Sequence, residues 1–146
     1  MTADPLAAAF PLLTTRQLSQ ISALTENITI ELGGILLREG HHTDSLYLIT
    51  DGIADLTKNL VEMESVVTEI KAGELVGEMS FAGNFPPTAT VTAATDIKAI
   101  KIDKSKLMAL LEGDAALGMA VFRSIASTLS RRLLQVTERF AFLRLT

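Results

Sequence analysis

Between residues 28 and 102 the chain is written in brief apolar runs rich in Ile, Val, Leu and Thr, cut by Gly33-Gly34, Gly40, Asp51-Gly52, Gly73 and Gly83. Runs this short, bounded by turn-forming residues, fit strands and cannot carry helices of ordinary length. Seven strands follow from them: 28–32, 35–38, 46–50, 54–58, 66–70, 89–93 and 97–102. Short strands at regular spacing predict a mainly β architecture, a double-stranded β-helix or jelly-roll-like β-roll. The Asp51-Gly52 pair is a tight-turn signal, since such turns need residues that tolerate positive φ.

Helices flank this region. Thr14-Thr15-Arg16-Gln17 can form a reciprocal cap, and Leu18, Ile21 and Leu24 then share one helical face. Asp103 is placed to cap a helix running through Leu111, and Gly113-Asp114 interrupts it. Beyond that break, Phe122, Ala126, Leu129, Leu133, Val136, Phe140 and Leu143 recur at alternating spacings of four and three. Such spacing draws one apolar seam down a long helix. From residue 114 to 143 this helix would extend about 45 Å at 1.5 Å per residue, longer than so small a roll is wide. The seam therefore predicts a parallel, helix-to-helix homodimer. The expected organisation is a single domain, with an N-terminal helix and roll in 1–112 and a dimerisation helix in 113–146.

The 146 residues suit one core, with 48% hydrophobic and 21% charged residues. No apolar run approaches the length that spans a bilayer, and MTADPLAAAFPLL lacks the basic flank of a secretory signal. A cytoplasmic, unexported protein is expected. The absence of cysteine removes disulfides and thiolate metal sites. A net charge of -4 argues against binding DNA through phosphate neutralisation, even though Arg123, Arg131, Arg132, Arg139 and Arg144 gather late in the chain. His41, His42 and Asp44 do not read as a metal site, because adjacent residues of an extended loop point apart. Nothing has the spacing of a catalytic constellation, so the chain is not expected to be an enzyme. Met63, Met79, Met108 and Met119 are expected to fill core gaps.

The most informative stretch is Gly73-Glu74-Leu75-Val76-Gly77-Glu78-Met79-Ser80, followed by Pro86-Pro87-Thr88-Ala89-Thr90-Val91. It joins a glycine turn, an acidic residue and a small-residue segment whose backbone amides can face an anion. This pattern resembles the phosphate-binding cassette of the cyclic-nucleotide-binding domain family, a GE element followed by P-R-small-A-T-V. The resemblance extends over about residues 12 to 140, taking in Gly40, Leu46-Tyr47-Leu48-Ile49, Asp51-Gly52 and the last helix. It implies that Gly77 and Glu78 lie at the ribose, the carboxylate accepting from the 2'-hydroxyl. It further implies that Met79, Ser80, Thr88 and Ala89 offer backbone or hydroxyl donors to the cyclic phosphate.

Pro87 departs from the pattern, for the family places an arginine there. Proline supplies neither charge nor an N–H donor. Losing a hydrogen bond to a charged group, about 1.5–3 kcal/mol, implies a site roughly ten- to a hundredfold weaker. No Lys or Arg lies between Lys71 and Lys98, so compensation must come from elsewhere in the fold. Glu78 would repel an uncompensated phosphate; alternatively its carboxylate accepts N–H groups of its own loop. Arg131-Arg132-Leu133-Leu134-Gln135-Val136-Thr137 resembles the helix of catabolite-activator-type regulators, which implies that Thr137 reaches an adenine edge, unless it bonds its own backbone. A helix-turn-helix domain follows that helix in those regulators, and the remaining residues have neither its length nor its charge. The expected function is a non-catalytic regulatory module that senses a small ligand, with cyclic AMP or cyclic GMP as a weak ligand. The alternative is a ligand-free roll serving dimerisation or protein interaction.

Overall fold

The structure, a computed structural model, describes residues 4–60 and 63–145, with side chains except at 60, 63–67 and 140–145. In chain order the elements are α1 (Pro5–Ala9), α2 (Thr15–Ser22), β1 (Thr25–Ile30), β2 (Ile35–Leu37), β3 (Ser45–Asp51), β4 (Ile53–Leu60), β5 (Met63–Lys71), β6 (Leu75–Val76), α3 (Glu78–Gly83), β7 (Thr90–Ala93), β8 (Ile97–Asp103), α4 (Lys104–Gly113) and α5 (Ala115–Leu145). The expected cap forms at α2, where Thr14 and Gln17 satisfy each other's backbone N–H groups. Asp103 likewise caps α4 through the Lys106 N–H.

The strands make two antiparallel sheets, ordered β1-β8-β3-β6 and β2-β7-β4-β5, the jelly-roll-like β-roll read from the sequence. Strand β3 explains why its residues read as an unbroken apolar run. Leu46 and Leu48 join a core beneath the helices, whereas Ile49, with Tyr47 packed alongside, belongs to the core between the sheets. Both faces of this sheet are therefore covered, so alternation with polar residues is lost.

Asp51-Gly52 does form a turn, but it does not close a hairpin. Strands β3 and β4 lie in different sheets, and Gly52 (φ 99°) carries the chain across between them. A Cβ there would sit 2.4 Å from the Asp96 carbonyl oxygen, so only glycine fits.

The seam of α5 divides along its length. Leu117, Val121 and Ile125 are buried in the core beneath the helices, with Phe122 and Leu129 packed against it. Phe122 and Leu129, expected at a dimer interface, thus contact this chain's own roll. Leu129 continues the inward-facing row four residues beyond Ile125, and Phe122 flanks that row by one residue, which carries both partly under it. Ala126, Leu133 and Val136 remain exposed, while the Phe140 and Leu143 side chains lie outside those described. Two methionines also differ from expectation, since Met79 is 50% and Met119 64% exposed. Met79 sits at the mouth of the cavity described next and Met119 on the outer side of α5, beyond reach of either core. Met108 packs against the helical core, and the side chain of Met63 lies outside those described.

Candidate functional site

Strand β6 ends at Val76, and Gly77 turns the chain into α3 with φ 95°. This turn brings Glu78 into the protein interior, only 4% exposed. The segment 85–89 returns over the same place, its Pro87 carbonyl accepting from the Gly40 N–H at 2.8 Å. Between them lies a cavity of about 100 Å³, lined by Gly77, Glu78, Met79, Ser80, Pro87, Thr88 and Ala89 together with Leu37, Leu56, Ile70, Leu75, Val76, Phe85, Val91 and Arg132. Seven of the eight ligand-binding residues expected from the sequence therefore line one cavity. Thr137 is not among them; it is exposed, and its Oγ1 donates to the Leu133 carbonyl at 2.9 Å, the self-bonding alternative for a helical threonine.

Arg132 is the residue sequence reasoning missed. Its guanidinium enters the cavity from α5 and Nη1 donates to Glu78 Oε1. The cavity is thus not without a cation, despite Pro87; the positive charge comes from a helix 54 residues away in sequence. A signal existed. Arg132 lies seven residues, about two turns, beyond the buried Ile125, which puts it on the inner face of α5. Burial raises the Glu78 carboxyl above its ordinary value of 4.5, and the Arg132 charge opposes that shift without cancelling it.

A second tie joins α3 to α5. The Phe81 and Phe122 rings stack with centroids 5.6 Å apart and planes 3° from parallel. The short helix bearing Glu78 and Ser80 is therefore fixed to α5 at two points, one aromatic and one ionic. On the far side of Arg132 an open groove of about 210 Å³ is lined by Gly73, Glu74, Thr128, Arg131 and Gln135, and Leu75 and Arg132 border both spaces.

The outer edge of the site is held differently. Lys58 Nζ donates to the Thr88 carbonyl at 2.5 Å and pairs with Glu39 at 2.8 Å. Glu39 Oε2 accepts from the Asn59 N–H at 3.0 Å, and these interactions lower its pKa, the bond from Lys58 being the largest cause. His41 Nδ1 lies 3.1 Å from the Glu39 carbonyl oxygen.

A model of the cyclic nucleotide-binding domain family matches residues 28–114, more than half of the chain. The chain belongs to the cyclic nucleotide-binding domain family. It is 35% identical over 89 residues to a cAMP-dependent protein kinase regulatory subunit of Yarrowia lipolytica, covering 61% of this chain but 23% of that protein. The chain thus spans less than a quarter of the length of that curated relative. Among solved structures, the N-terminal domain of a transcriptional regulator from Streptomyces coelicolor A3(2) superposes with a TM-score of 0.75 at 28% identity, covering 89% of this chain and 95% of the other. The regulatory domain of Toxoplasma gondii PKA, crystallised with cAMP, gives a TM-score of 0.68 at 25% identity, covering 72% and 41%. This cyclic nucleotide-binding domain shares its fold with both bacterial and eukaryotic regulators.

Proposed function

We propose that this domain is a non-catalytic sensor in which the ligand cavity and α5 are one mechanical unit, and that cyclic AMP and cyclic GMP are weak ligands. The observation that carries this reading is the Glu78–Arg132 pair, because the helix that closes the cavity also supplies its charge. At about 100 Å³ the cavity falls below the roughly 300–1,000 Å³ typical of ligand sites. A cyclic nucleotide that draws Arg132 off Glu78 would widen this space toward the groove beyond it and shift α5. Pro87 stands where the family pattern has arginine, so Arg132 would have to leave Glu78 to meet a phosphate. Dividing one cation between two anions weakens the anionic ligand.

Output is assigned to α5. Leu133, Leu134 and Val136 are 66%, 56% and 59% exposed on its outer half, and with the four-three spacing they favour a second copy of this chain as the partner. The same observation supports the second reading, a roll that serves dimerisation alone. A cytoplasmic location belongs to the same proposal. Thermal shift and calorimetry with millimolar cyclic AMP and cyclic GMP separate the two readings, since a ligand that binds only the folded state raises stability by RT ln(1 + [L]/Kd). Weak binding is expected from the natural chain, and Pro87→Arg should strengthen it about ten- to a hundredfold. Tight binding unchanged by Pro87→Arg contradicts the role given to Pro87, and no response from either protein leaves the dimerisation module. Leu133→Asp with Val136→Asp should yield a folded monomer in analytical ultracentrifugation.

A further inference from the structure

Glu78 and Arg132 are the titratable residues that line the cavity, and without a ligand their charges cancel. An anionic ligand upsets that balance. Glu78 and a phosphate would share one cation, leaving net negative charge where the Glu78 side chain, 6% exposed, has little water to support it. No second cation lines the cavity among the described residues. Its other walls come from β2, β4, β5, β6, β7, the rest of α3 and the segment 85–89, and carry no titratable side chain. Lys58, at the outer edge, is held by Glu39 and the Thr88 carbonyl. Arg131 and Glu74 line the groove on the far side of Arg132. Burial is the largest influence holding the Glu78 carboxyl above 4.5; the Glu74 charge adds to it, and Arg132 with the Glu78 backbone N–H works against it.

A proton restores the balance. A carboxylate that loses its cation and gains an anionic neighbour takes up a proton more readily on both counts. As an acid it still offers an acceptor oxygen and adds a donor, so it remains able to bond a sugar hydroxyl. We propose that this domain binds a cyclic nucleotide and a proton together: Arg132 passes from Glu78 to the phosphate while the Glu78 carboxylate is protonated from solvent. The inference rests on the reading of this cavity as the nucleotide-sensing site and adds its co-ligand. Position 87 sets the requirement. With the arginine of the family pattern there, two cations would face two anions and no proton would be needed. Proton and nucleotide must favour each other's binding equally, because the coupling is reciprocal. Nucleotide affinity therefore falls as pH rises from the free-domain pKa of Glu78 to the higher one it takes in the complex, and is level outside that window.

The test titrates the full chain with cyclic AMP and cyclic GMP in a calorimeter, from about pH 5 to about pH 8, where an upshifted carboxyl titrates and the cyclic phosphodiester keeps its single charge. Each pH is run in a pair of buffers of different ionisation enthalpy. The natural chain should lose affinity as pH rises, by up to about tenfold per pH unit, the limit for a single proton. Its heats should differ between buffers by the uptake of up to one proton per nucleotide. Glu78→Gln and Pro87→Arg should each flatten the pH profile, the first by removing the group that titrates and the second by removing the need for it. A slope contributed by His41 or His42 would survive Glu78→Gln. The buffer comparison needs no variant, so it decides the matter even where Glu78→Gln fails to fold. Equal heats in both buffers, proton release on binding, or a slope that persists in folded Glu78→Gln overturns the coupling and leaves the sensor reading in place. Absence of binding by either nucleotide at every pH removes both.

Discussion

Two glutamates on this roll each hold one basic side chain, and their protons respond in opposite directions. Glu39 and Lys58 meet at the outer edge, where the carboxyl's hydrogen bonds and its pairing with Lys58 lower its pKa. Glu78 and Arg132 meet in the cavity, where burial outweighs the same kind of partner and raises it. A cation beside a carboxylate therefore does not decide its behaviour; water does. At the edge, solvent already supports both charges and the pair adds little. Inside, Glu78 has lost most of its hydration and leans on Arg132 and a backbone N–H, while Arg132 keeps part of its exposure.

Removing the cation should separate the two sites most widely. Arg132→Met leaves Glu78 buried without its partner. Breaking a buried pair costs about 3–5 kcal/mol, and the partial exposure of Arg132, 36% of its side chain, places the loss near the lower figure. For a chain of this size that is a fall in Tm of roughly 6–12 °C at neutral pH. Adding Glu78→Leu to Arg132→Met should recover most of the loss, since apolar replacement of a whole buried pair is often neutral. If the single variant melts with the natural chain, the cavity pair is no more than a surface contact and the contrast disappears.

The difference between the pairs also shows what could be read from the residues alone. Strand β3, the caps at Thr14 and Asp103 and the convergence of 77–80 with 87–89 are local or nearly so, and each carried its own signal in sequence. Strand β6 carries no sequence signal because two residues make no period, and α3 carries none because six residues between Gly77 and Asn84 make fewer than two helical turns. α1 went unread although Asp4-Pro5 is a fair helix start, with Asp4 capping the Leu6 N–H. The extension of β1 to Thr25 comes from pairing with β8 rather than from burial, so Thr25-Glu26-Asn27 offered no apolar pattern. Arg132 was obscured by its company. The exposed seam beside it was the stronger periodic signal, and a single arginine on the inner face registers only when the face is phased from Leu117, Val121 and Ile125.

Titration sharpens the comparison with a smaller effect whose sign differs at the two sites. For Glu78 the folded pKa lies above the ordinary 4.5, so the folded chain keeps a proton that the unfolded chain has released. Its contribution to stability is full below 4.5 and is lost as pH rises through the raised value. For Glu39 the folded pKa lies below 4.5, so its contribution is present above 4.5 and is lost as pH falls through the lowered value. Melting curves of the natural chain, Glu78→Gln and Glu39→Gln across the acid range test both. The natural chain's Tm relative to Glu78→Gln should decline as pH rises from 4.5, and its Tm relative to Glu39→Gln should decline as pH falls below it. Slopes of the same sign in the two comparisons are incompatible with the contrast.

The smallest effect is expected at the edge itself. Lys58→Met removes the partner of Glu39 and the donor to the Thr88 carbonyl, yet water can reach both groups once the lysine is gone. At about 0.15 M salt, where charges farther apart than roughly 8 Å are screened, its Tm should stay within the scatter of the natural chain. Lowering the salt tenfold should bring out a modest destabilisation, because unscreened surface attraction then counts for more. Arg132→Met should show little of this salt dependence, since a pair withdrawn from water is screened much less. A Lys58→Met variant that loses as much stability as Arg132→Met, or an Arg132→Met loss that fades in salt, would place the two pairs in the same environment and remove burial as the cause of their difference.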